Sequence, residues 1–206
     1  RSGDRVRLTA QLVLASTDAT VWTNSYDGDV RDLLNLQRAL ARQVTQEIRV
    51  TIQPAETRQL AASSVDARAY DLYLRGRFFW NRRTRDDLLK AREYFEQAVI
   101  ADPTYALAHA GLADTYVELV GFGNLAPAEG LPKAKAAAEQ SIAIDPSLAE
   151  GHNALGYAHA TGWDWSRADA EFRQALALNP GYVVAMYQYG FFLSLMGHQD
   201  EAIPLV

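Results

Sequence analysis

Side chains able to do chemistry fall into a few groups in this sequence. His152 and His159 stand seven residues apart in "EGHNALGYAHATG", which on a helix rising about 1.5 Å per residue separates them by about 10 Å. Ligands of one ion on a helix sit three or four residues apart, so no shared metal is predicted. His198 follows Gly197 in a turn with no evident partner. "GFGN", from Gly121 to Asn124, has the glycine spacing of a phosphate loop. It follows a helical pattern, however, and lacks the third glycine and the Lys-Ser/Thr pair, so it reads as a loop insertion. Asp164, Asp169 and Glu171 fall on a polar helical face, without the apolar setting that would raise a carboxylate pKa for acid catalysis. Cysteine is absent, which excludes thiolate nucleophiles, thiolate metal sites and disulfides. "RGRFFWNRRTR", from Arg75 to Arg85, mixes guanidinium groups and rings, the usual tools for holding anions or RNA. Its aromatics lie at helical spacing with Phe79 expected in a core, and Asp86 and Asp87 follow at once, so a salt-bridged surface is the better reading. No residue set points to an enzyme, a metal or a cofactor.

Composition agrees. The chain has 206 residues, 49% hydrophobic, and a formal net charge of −5. Residues 66–103 hold 8 basic and 7 acidic side chains, whereas residues 104–206 hold 4 and 11. No excess of Lys and Arg is available to neutralise phosphates, so direct nucleic-acid binding is not predicted. No apolar run approaches the roughly 20 residues that span a bilayer, and no signal peptide is visible. The sequence starts at Arg1 without methionine and stops inside a helical pattern, so it is expected to be a piece of a longer chain.

The elements that must position these residues are set by a recurring phrase. Asp102-Pro103, Asp145-Pro146 and Asn179-Pro180 each close an amphipathic stretch, and a proline both ends a helix and disfavours helical backbone in the residue before it. The spacings are 43 and 34 residues. A period near 34 with Leu155-Gly156, Ala168, Phe172, Ala175 and Pro180 in one register resembles the tetratricopeptide repeat, a helix-turn-helix unit. Small residues at 156, 168 and 175 would let the two helices approach, with Leu155 and Phe172 between them. Leu74, Gly76, Ala91, Phe95, Ala98 and Pro103 make a first unit with a longer loop, "NRRTRDD". His109, Leu112, Ala113 and Tyr116, then Ala134, Ala138 and Ser141, make a second, its period stretched by an inserted "VGFGNLAPAEGLP". His109 and His152 fill equivalent positions, which favours packing over chemistry. Tyr189, Gly190 and Leu193 open a truncated fourth unit that turns at Gly197. The predicted fold is mainly α: a solenoid over residues 65–206, with units near 69–103, 106–146, 149–180 and 183–206.

Ahead of it, "RVRLTAQLVLAS" alternates apolar and polar residues as a strand does, "TVWTNSYDGD" reads as its antiparallel partner, and Leu33, Leu36, Leu40, Val44 and Ile48 keep helical spacing. The order of "RSGDRVRLTAQLV", "TVWTNSYDGDVRDLLNLQRALARQVTQEI", "YLRGRFFW" and "GWDWSRADAEFRQALALNP" resembles the C-terminal region of multidomain bacterial signalling and transcriptional regulators, in which a TolB-like domain precedes tetratricopeptide repeats. On that resemblance residues 1–60 are the tail of the TolB-like domain, an α+β remnant, and the whole is a bacterial scaffold or sensory module on the cytoplasmic or periplasmic side of a larger regulator.

What the repeat resemblance implies for function is a protein or peptide partner held in the concave groove lined by the first helix of each unit. The matching positions are Tyr70, Tyr73, Arg77, Trp80 and Asn81; Asp114, Val117 and Glu118; Asn153, Tyr157 and Thr161; and Tyr187, Phe191 and Leu195. The last three would equally suit packing on further solenoid. The basic set with which some relatives clamp a peptide carboxylate is missing. Two alternatives stand beside this reading. One is a small-ligand sensor around Trp80 and residues 121–132. The other is a homo-oligomeric scaffold paired through the strand edge at residues 5–16.

Overall fold

The computed structural model describes residues 5–14, 19–29 and 65–205. The chain divides into two compact units, Arg1–Ala67 and Arg68–Val206. In the first, β1 (Arg5–Leu14) and β2 (Ala19–Asp29) pair antiparallel, Arg5 opposite Asp29 and Leu12 opposite Trp22, with an irregularity between Leu12 and Val13. One face of the ladder is polar: Arg7 donates two bonds to the Asp27 carboxylate, at 2.7 and 2.9 Å, and the Thr9 and Ser25 hydroxyls bond at 3.0 Å. The helix expected over Leu33 to Ile48 lies outside the described residues.

The second unit is a row of antiparallel helix pairs. Its helices are α1 (Ala67–Asn81), α2 (Arg85–Ala101), α3 (Ala106–Gly121), α4 (Pro127–Ile144), α5 (Ala149–Thr161), α6 (Trp165–Leu178), α7 (Val183–Leu195) and the short α8 (Gln199–Ala202), which runs into a 3₁₀ turn at Ile203–Leu205. The Asp-Pro and Asn-Pro pairs end α2, α4 and α6, as the sequence requires. The carboxylate or amide oxygen of Asp102, Asp145 and Asn179 accepts the amide of the residue two further on, at 3.0, 3.0 and 3.2 Å. His109 and His152 each reach back six residues, their Nε2 lying 3.0 and 3.2 Å from the carbonyls of Pro103 and Pro146. They brace the connections between units, and no group of residues able to hold a metal occurs among the described residues. His198 does have a neighbour: its Nδ1 lies 3.3 Å from Glu201.

Inside each pair the turn contains one residue in the left-handed region: Arg83 (φ 53°), Gly123 (71°), Trp163 (65°) and Gly197 (81°). Thr84 and Asp164 then cap α2 and α6, their side chains accepting from the amides of Asp87 and Arg167. Phe95 and Phe172 are fully buried at the centres of their pairs. A Cβ on Gly76 would come within 2.6 Å of the Phe95 ring and one on Gly111 within 2.7 Å, so glycines of α1 and α3 clasp one ring from two helices. Gly156 lies against Phe172 in the same way, at 3.1 Å.

Two loop expectations need correction. The first turn, Arg82 to Thr84, is as short as the third, Gly162 to Asp164; the extra residues of "NRRTRDD" are wound into α2, which is 17 residues long against 14 for α6. The long second period likewise comes mainly from helix: α3 has 16 residues against 13 in α5, and α4 has 18 against 14 in α6. "APAEGLP" reads as a breaker, yet Pro127 takes the first helical position, where its missing N–H costs no bond, and α4 runs on through Pro132.

Candidate functional site

Successive first helices bring equivalent positions into rows. Arg77, Asp114, Tyr157 and Phe191 form one row, and Tyr73, Asn153 and Tyr187 belong to the row a turn earlier. The N-terminal end of this surface is polar and closed. Trp80 is buried, 2% exposed, with the Arg83 guanidinium 4.0 Å and the Arg77 guanidinium 4.7 Å from its ring centre. The indole is therefore the floor, and the two cations are what it presents. Arg83 donates to the Glu118 carboxylate across from α3, and Glu118 also accepts from the Tyr157 hydroxyl of α5. Burial nevertheless holds the Glu118 pKa above the ordinary value, against the pull of Arg83 and Tyr157.

Asp114 sits one turn before Glu118 and is 2% exposed. Burial is the main cause that pushes its pKa up to about 7; Arg77 and Arg83 oppose the shift, while Glu118 and Glu150 add to it. Its Oδ1 has no hydrogen-bond partner. On α5, Asn153 is fully buried and donates from Nδ2 to Gln188 Oε1 of α7 at 2.8 Å, leaving its own Oδ1 unpartnered. Tyrosines enclose the cluster. Tyr73 packs edge-on against Tyr105 with ring centres 5.2 Å apart, and burial pushes its pKa up to about 12. Tyr157 is shifted upward, chiefly by burial and then by Glu118 and Asp114; Tyr182 likewise by burial, then by Asp114 and Glu150.

The far end is open and apolar: on α7 Tyr187 is 59%, Phe191 58% and Leu195 65% exposed. Of the residues singled out from sequence, the fold gathers Tyr73, Arg77, Trp80, Asp114, Glu118, Asn153 and Tyr157. Half-buried Tyr70 lies near Tyr73 and Tyr105, whereas exposed Asn81 and half-buried Thr161 close their helices outside the cluster. Sequence reasoning missed Arg83, Glu150, Tyr182 and Gln188. The signal for Gln188 was its separation from Asn153, 35 residues, one period plus one. Buried Asp114 also corrects the view that no carboxylate here has an apolar setting.

Helix pairs stacked in this way, with glycine at the crossing and a proline at each exit, form a solenoid of the tetratricopeptide-repeat kind. The sequence model described as "Tetratricopeptide repeat" matches residues 171–203. A thermophilic repeat protein of Thermus thermophilus has a similar structure, with a TM-score of 0.59 at 20% identity over 85% of this chain and 86% of that one. The first repeat domain of human RPAP3 compares at 0.51 and 15% identity, over 65% and 96%. That of Spaghetti (RPAP3), solved with an HSP90 peptide, compares at 0.50 and 15% over 63% and 96%. Among curated proteins, "Putative adenylate cyclase 3" of Rhizobium meliloti (strain 1021) is 29% identical over 114 residues, which are 55% of this chain and 19% of that protein. The chain thus spans about a fifth of that relative's length.

Proposed function

We propose that residues 65–206 bind a partner segment in the groove formed by α1, α3, α5 and α7, as the interaction module of a larger bacterial regulatory protein. Carrying this reading is the exposure of Tyr187, Phe191 and Leu195 at positions one period beyond Asn153, Tyr157 and Thr161. Large rings held at two side-chain torsions give contact area at low entropic cost. The peptide-bound structure of similar fold supports a groove ligand, and the name of the 29% identical relative supports a signalling context. Residues 1–60 are then the end of a TolB-like domain, and occupancy of the groove would be passed to an output domain.

The test is affinity selection of displayed dodecapeptides on the 206-residue protein. It is run beside a Tyr187→Ala, Phe191→Ala, Leu195→Ala variant of unchanged helicity. Tyr73 is unsuitable for this purpose because its ring packs on Phe95 and Tyr105. Peptides that bind the protein and lose at least tenfold on the variant support the groove. Peptides held equally by both, or none recovered, would overturn it in favour of small-ligand sensing or self-assembly.

A further inference from the structure

Resting on that reading, we infer that the polar end of the groove receives the ammonium group of a lysine side chain from the bound segment, seated against Asp114 among Tyr73, Tyr157 and Tyr182. Asp114 Oδ1 is a buried acceptor without a donor, and native proteins rarely leave such an atom unmatched. What Asp114 lacks is an N–H group, so its own missing party is a donor; Trp80 Nε1, on the floor beneath Arg77 and Arg83, is conversely a buried donor without an acceptor.

Charge points the same way. Asp114 faces Arg77 and Tyr73 from α1, Arg83 from the first turn, Glu118 from its own helix, Glu150 and Tyr157 from α5, and Tyr182 from the connection into α7. Arg83 is committed to Glu118. Arg77 stacks on Trp80 and makes no ion pair among the described residues. With Asp114 ionised, three carboxylates face two guanidinium groups, which leaves room for one more cation and repels an anion. The surroundings suit ammonium better than guanidinium: it is compact, brings three donors, and hangs on an apolar stem that aromatic rings can line. Entry requires the half-buried Arg77 and Tyr182 side chains to swing aside.

A cation at Asp114 would also favour its ionised form, so binding at pH 7 should release protons. The decisive experiment takes the best dodecapeptide from the selection above, prepared with each lysine unmodified or Nε-acetylated. Fluorescence anisotropy then measures its binding to the 206-residue protein, to Asp114→Asn, and to the Tyr187, Phe191, Leu195 triple variant. Asp114→Asn keeps the side-chain shape and removes a buried charge, so folding is not at risk. A loss of tenfold or more on acetylating one particular lysine, matched on Asp114→Asn but not compounded when both are made, establishes the site. Peptides that need α7 yet carry no essential lysine, or bind Asp114→Asn as well as the parent, would overturn the lysine site and leave the groove standing. Binding indifferent to the α7 variant too would overturn both.

Discussion

At the scale of single residues, the four turns inside the helix pairs impose the same left-handed backbone on very different side chains. Gly123 and Gly197 adopt it freely, while Arg83 and Trp163 do not. Arg83 gains an ion pair with buried Glu118 and a stack on Trp80 in compensation. Trp163 is 77% exposed and touches Trp165 edge-on, which offsets little of a conformation that disfavours L-residues by about 1–2 kcal/mol. Trp163→Gly should therefore raise stability by about 0.5–1 kcal/mol despite the freer unfolded chain, read as a higher urea midpoint at constant slope. Gly76→Ala should do the reverse. Its new methyl meets a Phe95 ring that Gly111 already holds from the other side, so the ring has nowhere to withdraw and a loss of about 1–3 kcal/mol is expected. Gly121→Ala is the control: nothing lies within 4 Å of its added Cβ, and thermal unfolding should move slightly upward.

Among the elements, α3 is central: all but three of its residues are buried, Asp114 and Glu118 included. Asp114 titrates near 7 in the folded protein against 3.8 in its ordinary state. A carboxyl whose folded pKa is raised binds its proton more tightly when folded. Its contribution to stability is complete below about pH 4 and is lost as the pH climbs through about 7. Across that window the loss is on the order of 3 kcal/mol. Urea unfolding at pH 5 and pH 8 should show this decline, and Asp114→Asn should remove most of it; equal pH dependence in both proteins would contradict the assignment. Much of this element was legible beforehand. The proline exits and the register of His109, Leu112, Ala113 and Tyr116 placed α3 as the first helix of its unit, and the row positions named Asp114 and Glu118; the clasp of Gly111 on Phe95 was not foreseen. Depth was not legible, because it depends on Tyr182 and Arg83, which approach from turns that periodicity does not describe. Nor were the true ends of α2, α3 and α4. Gly and Pro in "GFGNLAPAEGLP" signal a break throughout, whereas the helices absorb seven of those twelve residues, Gly121 and the six from Pro127 to Pro132.

For the whole solenoid, stability is close to a sum over units and their interfaces, so the distribution of buried surface predicts which part opens first. One core cluster joins α1, α2, α3, α4 and α5 around Phe95, Leu119 and Trp80. A second holds α7 and α8 to α6 through Phe172, Tyr189 and Phe192. The α7 helix contributes fewer buried side chains than α3 and leaves Val183, Tyr187, Phe191 and Leu195 in water. Local opening free energy follows buried apolar contact. Amide hydrogen exchange followed by mass spectrometry should therefore be slowest in α3 and more than tenfold faster in α7 and α8. A partner segment lying along the groove would bury the exposed row of α7 and bring donors to Asp114 at once. Saturation with a selected peptide should accordingly slow exchange most in α7, secondarily in α3 and α5, and leave α4 and α6 nearly unchanged, since those second helices lie outside the groove. Protection concentrated on α4 and α6 would place the ligand on the opposite face of the solenoid and remove the functional meaning given to the groove.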